Sequence, residues 1–403
     1  MSPTRRSTLP RFDSHDPAVL ADPYSVYRRL RAHGPVCRGG TGQWVLTRHA
    51  DVTACLADPR LGTEYPVEYH RMSVGDGPAV SFFSRILLDR DPPHHTRLRR
   101  AMHPAFRPAA VRALSDRIGA MVDDLLEPAF DRGHCDVVED LAFPLPVSVV
   151  CELLGIPAAD RELVRPHAVD LARGFGLVVA EPDRAATHAA VTWLRDYIGE
   201  LAAERLRSPG DDVLSHLLTP ASDGGPVDLA EVVDNVVFLF FAGFETTMNL
   251  IASGVAALLD APDQQRLLRK SPDLVPSAVE EFLRFDAPIQ AVARLVREPM
   301  SLHGHTFRPG RLLVLLLGSA NRDERVFADP DRLDVTRSPN PHVSFGGGAH
   351  FCLGAALARL EGRIVFDRLA RRCRGLVPAG TPQRRRTTSF RSLSRLPVTF
   401  LAA

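Results

Sequence analysis

The chain has 403 residues, 45% of them hydrophobic, and a mean hydropathy of −0.05, which supports a sizeable apolar core and excludes global disorder. Its 49 basic and 48 acidic residues nearly cancel, so no broad field of one sign would gather nucleic acid or an anionic membrane. Length alone permits one large domain or two to three average ones, but no linker and no repeat of about 20 to 50 residues divides it, so residues 1–403 read as one domain. The cysteines Cys37, Cys55, Cys135, Cys151, Cys352 and Cys373 show no paired spacing, and the stretch Met1 to Arg6 leads into no apolar run. Both features predict a reducing, cytoplasmic home.

In chain order, Asp22-Pro23 through Arg31 reads as a first helix, Gln43-Trp44-Val45-Leu46-Thr47 alternates as a strand, and a second helix follows from about Ala50. From Arg60 to Leu88 the pattern dissolves, which predicts a long irregular segment of a kind that is uncommon unless functional. Helical periodicity then marks Thr96 to Ala105, Ala109 to Phe130, Pro146 to Leu154, Arg161 to Ala172, Ala185 to Leu206, Leu229 to Leu259, Asp263 to Arg269 and Ser277 to Arg284. The Gly- and Pro-rich stretch Ser208 to Pro226 reads as a surface connection. Strand-like runs cluster after Ile289, at Leu312 to Leu317 and near Pro397 to Phe400, so the fold class is mainly α with a small β region. Asn235 to Leu259 is long and apolar enough to be mistaken for a membrane span, yet Glu245, Thr246, Thr247 and Asn249 stand at its middle. A carboxylate at a bilayer centre is costly, so a buried core helix is the reading.

The most specific stretch is Phe345-Gly346-Gly347-Gly348-Ala349-His350-Phe351-Cys352-Leu353-Gly354, which delivers a cysteine through glycines to the start of a helix spanning Leu353 to Arg372. Helix N-terminal N–H groups favour a thiolate and predict a pKa below the free value of about 8.5. Gly348 and Gly354 would let a large planar ligand approach the backbone, and Phe345 could screen the sulfur. Zinc fails on ligand count, because no second cysteine lies nearby and His350 has no matching partner pair. A single axial thiolate on haem iron needs only one such residue. The stretch resembles the cysteine motif of the cytochrome P450 family, F-G-x-G-x-H-x-C-x-G, at every fixed position. That resemblance implies the P450 fold enclosing a haem b, with Cys352 as iron ligand and Phe345, Gly346, Gly354 and Ala242 against the cofactor.

Ala242-Gly243-Phe244-Glu245-Thr246-Thr247 interrupts the long apolar helix with a glycine, which costs about 1 kcal/mol against alanine, and with a carboxylate. A local bend that opens a groove would account for it, as would a polar contact with a neighbouring helix. With the cysteine motif it is similar to the family's A-G-x-[D/E]-T-T oxygen-activation motif, which implies that Thr246 steadies dioxygen and delivers protons relayed by Glu245. Glu281-Phe282-Leu283-Arg284 puts an acid and a base on one helix face. Most such pairs are exposed, but the position about 70 residues before Cys352 resembles the family's buried E-x-x-R support, with Arg337 as third member and Leu333 where a Phe is usual. Asp91-Pro92-Pro93-His94-His95-Thr96-Arg97-Leu98-Arg99-Arg100 presents His95 and Arg99 four apart. A solvated basic helix would explain that too; the resemblance implies that His95 and Arg99 join Arg294 and His350 on the haem propionates. Arg97, Arg100, Arg359 and Arg363 are either part of a docking surface for an acidic electron donor or a solvated face.

Substrate contacts implied by the resemblance fall in Arg60 to Leu88, Leu171 to Ala190, the helix before Thr246, Ile289 to Ala293 and Leu393-Ser394, with Gln290, Ala291, Val292 and Leu393 as candidates. They point to an apolar or moderately polar small molecule. Asn321-Arg322-Asp323 is expected to organise the fold. No GxGxxG or cysteine cluster for a fused reductase is present, so electrons from NAD(P)H are expected through a separate ferredoxin and ferredoxin reductase, with dioxygen as co-substrate. The implied protein is a monomeric oxygenase of bacterial secondary metabolism that binds neither nucleic acid nor membrane. Peroxide-driven oxidation, coupling or rearrangement, and a non-catalytic haem-binding module, remain as alternatives on the same scaffold.

Overall fold

A long helix with almost no polar face has to be wrapped on all sides, and the chain does this with Leu229–Asp260. The computed structural model describes residues 11–401 apart from 41, 177–178, 220–226, 386 and 388. The stretch Met1 to Arg6, the end of the predicted connection at 220–226, and Leu177 and Val178 of the predicted substrate segment lie outside the described residues. Leu229–Asp260 is the one described helix long and apolar enough to cross a membrane, but 83% of its most apolar window is buried, as a core helix requires. Pro144–Leu154, Arg161–Arg173, Glu181–Arg207, Val275–Phe285 and Ala355–Arg372 pack around it.

Several of its polar residues have partners. Asp228 caps the first turn by accepting from the Glu231 N–H. Asn235 accepts the Leu87 N–H at 2.7 Å and donates to the Arg85 carbonyl at 3.1 Å, while Asp234 takes both arms of Arg195 at 2.6 and 2.9 Å. Close packing accounts for the mid-helix glycine. A Cβ at Gly243 would lie 2.7 Å from Val150 Cγ2, so Pro144–Leu154 can approach only because that position is bare.

The β part is a six-stranded mixed sheet in the order Arg11–Phe12, Val36–Gly39, Trp44–Leu46, Leu312–Leu315, Val292–Val296, Leu61–Gly62. Leu313 pairs with Trp44 in parallel on one side and with Arg294 in antiparallel on the other. A second sheet joins Gly375–Pro378, Pro397–Leu401 and His134–Asp136. Two expectations change. The predicted helix Ala109 to Phe130 breaks at Leu114 into Pro108–Ala113 and Ser115–Arg132. The segment Arg60 to Leu88, expected to be irregular, contains helices Val67–Val74 and Pro78–Phe83. Gly75 at φ 78° and Gly77 at φ 152° separate them, leaving each too short to show a period. His188 from Glu181–Arg207 holds both: its Nδ1 accepts the Ala79 N–H at 3.2 Å and its Nε2 meets the Val74 carbonyl at 2.9 Å.

The loop leading to the cysteine is anchored on Val275–Phe285. Glu281 and Arg284 are both 0% exposed and pair through two bonds of 2.7 and 2.8 Å. Arg284 also donates to the carbonyls of Asn321, Pro330 and Arg332. Glu281 accepts the Asp334 N–H at 2.9 Å, the Arg337 Nε at 3.1 Å and the Asn340 amide at 3.2 Å. Asn321 then accepts the Val343 N–H at 2.8 Å and donates to Ser344 Oγ at 2.7 Å. Leu333 is buried in the main core. Replacing one member of a buried charge pair strands the other, so Glu281→Gln is expected to lose about 3–5 kcal/mol in denaturant unfolding. A change below about 1 kcal/mol would mean the cluster does not hold the loop.

Candidate active site

The cysteine loop is forced by its glycines. Gly346 and Gly348 sit at φ 69° and 62°, and a Cβ at Gly348 would lie 2.5 Å from the Leu56 carbonyl oxygen. The Cys352 N–H closes the loop on the Phe345 carbonyl at 2.9 Å. The following helix is Ala355–Arg372, with Gly354 at its N-cap, two residues later than the start expected at Leu353, so Cys352 lies just ahead of the first turn. The thiol does not behave as the helix terminus alone predicts. Burial pushes Cys352 up, and the Gly354 N–H with the Arg99 and Arg359 charges only partly offsets that. The free protein therefore presents a neutral thiol, and a bound metal is what would deprotonate it.

Glu280 braces the loop from below. It takes both arms of Arg359 at 2.7 and 2.8 Å and His342 Nε2 at 3.1 Å, and the Arg359 guanidinium lies 4.4 Å over the Phe345 ring. Burial alone would raise the Glu280 carboxyl, but His342 and Arg359 overcome it and hold it at about 2.

On the central helix, Ala242, Gly243 and Thr246 are half-buried while Phe241, Phe244, Glu245 and Thr247 are fully buried. Ala242 and Thr246, one turn apart, are therefore half-buried small side chains in the middle of a core helix, while Gly243 packs against Val150. The Thr246 hydroxyl donates to the Ala242 carbonyl at 2.9 Å, which leaves its lone pairs free. Glu245 is 1% exposed and turned toward the C-terminal segment: it accepts Ser392 Oγ at 2.9 Å, lies 3.4 Å from Arg385 Nη1, and takes the Asn249 amide at 3.4 Å.

At the rim, the His95 and His350 rings lie 4.2 Å apart. Burial, then the His350 and Arg99 charges, lower His95 to about 4. His95 Nε2 is buried without a partner. Burial also lowers His350, Arg99 and Arg294, and Arg294 and Arg99 act on His350 as neighbouring charges. Two residues not singled out from sequence complete the rim. Thr63 Oγ1 meets His350 Nε2 at 3.1 Å, and Asp91 accepts the Thr63 and Glu64 N–H groups at 3.0 and 3.2 Å. Burial would raise Asp91, but His350, those N–H groups and Arg297 hold it at about 2. Asp91 heads the Asp91-Pro92-Pro93 turn, and that placement was the only sequence signal for it.

A buried ring nitrogen without a partner, two arginines lowered by burial, a thiol at a glycine loop and a bare strip of helix suit a planar ligand that carries acids on one edge and a metal at its centre. The model of the family described as Cytochrome P450 matches residues 268–401. The chain is 40% identical over 386 residues to Vitamin D(3) 25-hydroxylase of Pseudonocardia autotrophica, covering 94% of each. A solved structure of CalO2 superposes with TM-score 0.91 at 39% identity, covering 97% of this chain and 98% of that one. P450BioI, solved with hexadec-9Z-enoic acid ligated acyl carrier protein, gives TM-score 0.88 at 35% identity over 95% and 99%.

The chain belongs to the cytochrome P450 family. This P450 is therefore a haem-binding monooxygenase that uses dioxygen to oxidise a small organic molecule. Three of the residues expected to face the substrate are buried in contacts of their own. Gln290 is 4% exposed and donates to Tyr24 Oη at 3.1 Å and the Ala287 carbonyl at 2.8 Å. Ala291 is buried in the cluster of Phe12, Tyr24, Tyr27 and Leu30, and Leu393 is 1% exposed in the main core. The strand starts at Val292, and of the run 290–292 only Val292 is half-buried. Arg97 and Arg359 are taken by Glu231 and Glu280, which removes them from a free docking surface; Arg100 and Arg363 have no acidic partner among the described residues.

Because the Glu280 carboxyl lies below its ordinary value in the folded state, its contribution is present above about pH 4.5 and lost as pH falls toward 2. Acid unfolding of the wild type is expected to steepen across that window, and Glu280→Gln to flatten it while lowering neutral-pH stability by about 1–3 kcal/mol. Superimposable pH–stability curves would remove Glu280 as a brace of the loop.

Proposed function

We propose that this P450 is a cytoplasmic monooxygenase of bacterial secondary metabolism that hydroxylates or epoxidises an apolar or moderately polar small molecule. Its catalytic unit is taken to be residues 1–403. In this reading Cys352 holds the haem iron through its sulfur, and His95, Arg99, Arg294 and His350 hold the propionates. Phe345, Gly346, Gly354 and Ala242 lie along the macrocycle. Bound haem supplies the iron that activates dioxygen. Electrons come from NAD(P)H through a ferredoxin reductase and a ferredoxin. Glu281, Arg284 and Arg337 act only by positioning the cysteine loop.

The observation that carries the proposal is the half-buried strip Ala242, Gly243 and Thr246 next to the buried Glu245, on the helix whose other faces are closed. Thr246 holds its proton at Oγ1 toward the Ala242 carbonyl and can turn it to a ligand beside the strip. Glu245, clasped by Ser392 and Arg385, can replace that proton from outside the substrate pocket. The neutral alternatives, a sensor or recruiting module, have no use for a buried acid beside a hydroxyl.

Two measurements test this. Cys352→His should abolish the thiolate-type shift of the reduced carbon monoxide spectrum, and an unchanged spectrum would refute the ligand assignment. Thr246→Ala should leave NAD(P)H consumption largely intact while product per electron falls several-fold and peroxide rises; an unchanged ratio would take Thr246 out of the reaction.

A further inference from the structure

One buried acid has no part in the reaction as proposed. Asp89, which directly follows the segment expected to meet substrate, is 9% exposed, yet among the described residues its carboxyl group accepts no hydrogen bond. His70 Nδ1 stands 3.9 Å from Asp89 Oδ2, beyond hydrogen-bond reach. His70 is itself 3% exposed, and burial lowers it to about 4, so at neutral pH it brings no counter-charge. Burial pushes the Asp89 carboxyl well above its ordinary range, and the Arg294 charge offsets only part of that. Arg294 is committed to a propionate in the reading above, which leaves Asp89 without a cation of its own. A buried acid with neither hydrogen bond nor counter-ion is costly to keep.

Aromatic rings crowd the same place. Tyr65 and Tyr69 stack at 4.7 Å, both meet the His70 ring near edge-on at 6.1 and 5.9 Å, and Phe83 lies nearly parallel to it at 6.0 Å. Burial and then the Asp89 charge raise both tyrosine hydroxyls, so the carboxyl is close to each. An acid beside ring faces suits an ammonium group, which the acid neutralises and the ring quadrupoles attract. An apolar wall joins this cluster to the central helix: Phe83 packs on Phe175 at 5.0 Å, and Phe175 stacks on Phe241 at 4.0 Å, one residue before the half-buried Ala242. Leu88, next to Asp89, keeps 40% of its surface accessible. The helix Val67–Val74 that carries Tyr69 and His70 is fixed from behind, because Arg184 donates to the Met72 and Ser73 carbonyls at 3.0 and 3.2 Å and His188 meets that of Val74. A cluster held in this way loses little freedom when a ligand arrives.

We propose that Asp89 anchors a cationic nitrogen of the substrate, with the Tyr65 and Tyr69 rings beside the same charge and the apolar body of the molecule lying along Phe83, Phe175 and Phe241. The substrate class named under Proposed function, apolar or moderately polar, narrows to organic amines that are protonated at neutral pH; the assignment rests on that monooxygenase reading. A molecule without the charge leaves the acid unpaired, which is the source of selectivity. Holding the nitrogen at Asp89 also directs oxidation to a carbon remote from it.

The test titrates the haem-loaded enzyme with decyltrimethylammonium and with decanol, which share one alkyl chain. The quaternary nitrogen has no lone pair and cannot ligate iron, so the spin-state shift and calorimetry both read occupation of the pocket. The cation is expected to bind about ten-fold tighter than the alcohol. Asp89→Asn is expected to remove that preference while leaving decanol within about two-fold, Asp89→Glu to keep most of it, and Tyr69→Leu to weaken the cation about three-fold. A cation that binds no tighter than decanol, or not at all, overturns the proposal. So does a parallel loss of both probes in Asp89→Asn, which would make Asp89 a support of the fold; thermal unfolding of each variant is read alongside. If both probes shift the spin state with equal affinity, the anchor falls and the monooxygenase reading stands. If calorimetry shows the cation held through Asp89 while the reduced carbon monoxide spectrum lacks the thiolate-type shift, that reading falls and the anchor stands.

Discussion

One carboxylate, Glu281, ties the catalytic loop to the helical body. Both of its oxygens are taken by the Arg284 fork, and the Asp334 N–H, Arg337 and Asn340 add three further donors from a segment more than fifty residues downstream. A carboxylate has about four lone-pair sites, so this group is saturated and cannot shift without stranding buried donors. The stretch it gathers carries no regular secondary structure between Asn321 and Gly347, and its backbone would otherwise have nothing to define its path. Through Asn321 and Ser344 the constraint reaches Phe345, whose carbonyl closes on Cys352. The position of the thiol is thus set by a charge cluster on another helix.

The parts of this P450 that could be read from sequence are those with a local signature. The long helix, the helix after the cysteine and the strand at Leu312 to Leu317 announce themselves through periods of 3.6 and 2, and the structure has them within a few residues. The cysteine loop was legible because three glycines and one thiol admit few uses. What escaped was set by partners distant in sequence. Two six- to eight-residue helices between Arg60 and Leu88 owe their existence to His188, over a hundred residues away. Gln290 looked like a polar group in an apolar pocket because its true partner, Tyr24, comes from the first long helix. The packing need for Gly243 was hidden because the side chain that requires its bareness, Val150, belongs to another helix. The acid–alcohol pair was recognisable, but Glu245's orientation depends on Ser392 and Arg385, which no local pattern links to it.

The rim shows why cofactor and fold are energetically coupled. His95, His350, Arg99 and Arg294 are brought together where burial disfavours their charged forms. Of the two nearby acids, Asp91 stays ionised at neutral pH and is shared between His350 and the Thr63 and Glu64 N–H groups, whereas burial pushes Asp89 well above its ordinary range despite Arg294. A ligand that brings two carboxylates to this rim supplies what the protein lacks: partners for the arginines and an acceptor for His95 Nε2. It should also raise the histidines toward their charged forms, since an anion at hydrogen-bond distance favours the imidazolium. A metal carried by that ligand would reverse the position of Cys352, whose thiol burial pushes up. Because the unfolded chain offers neither end in place, binding of such a ligand would add stability by mass action.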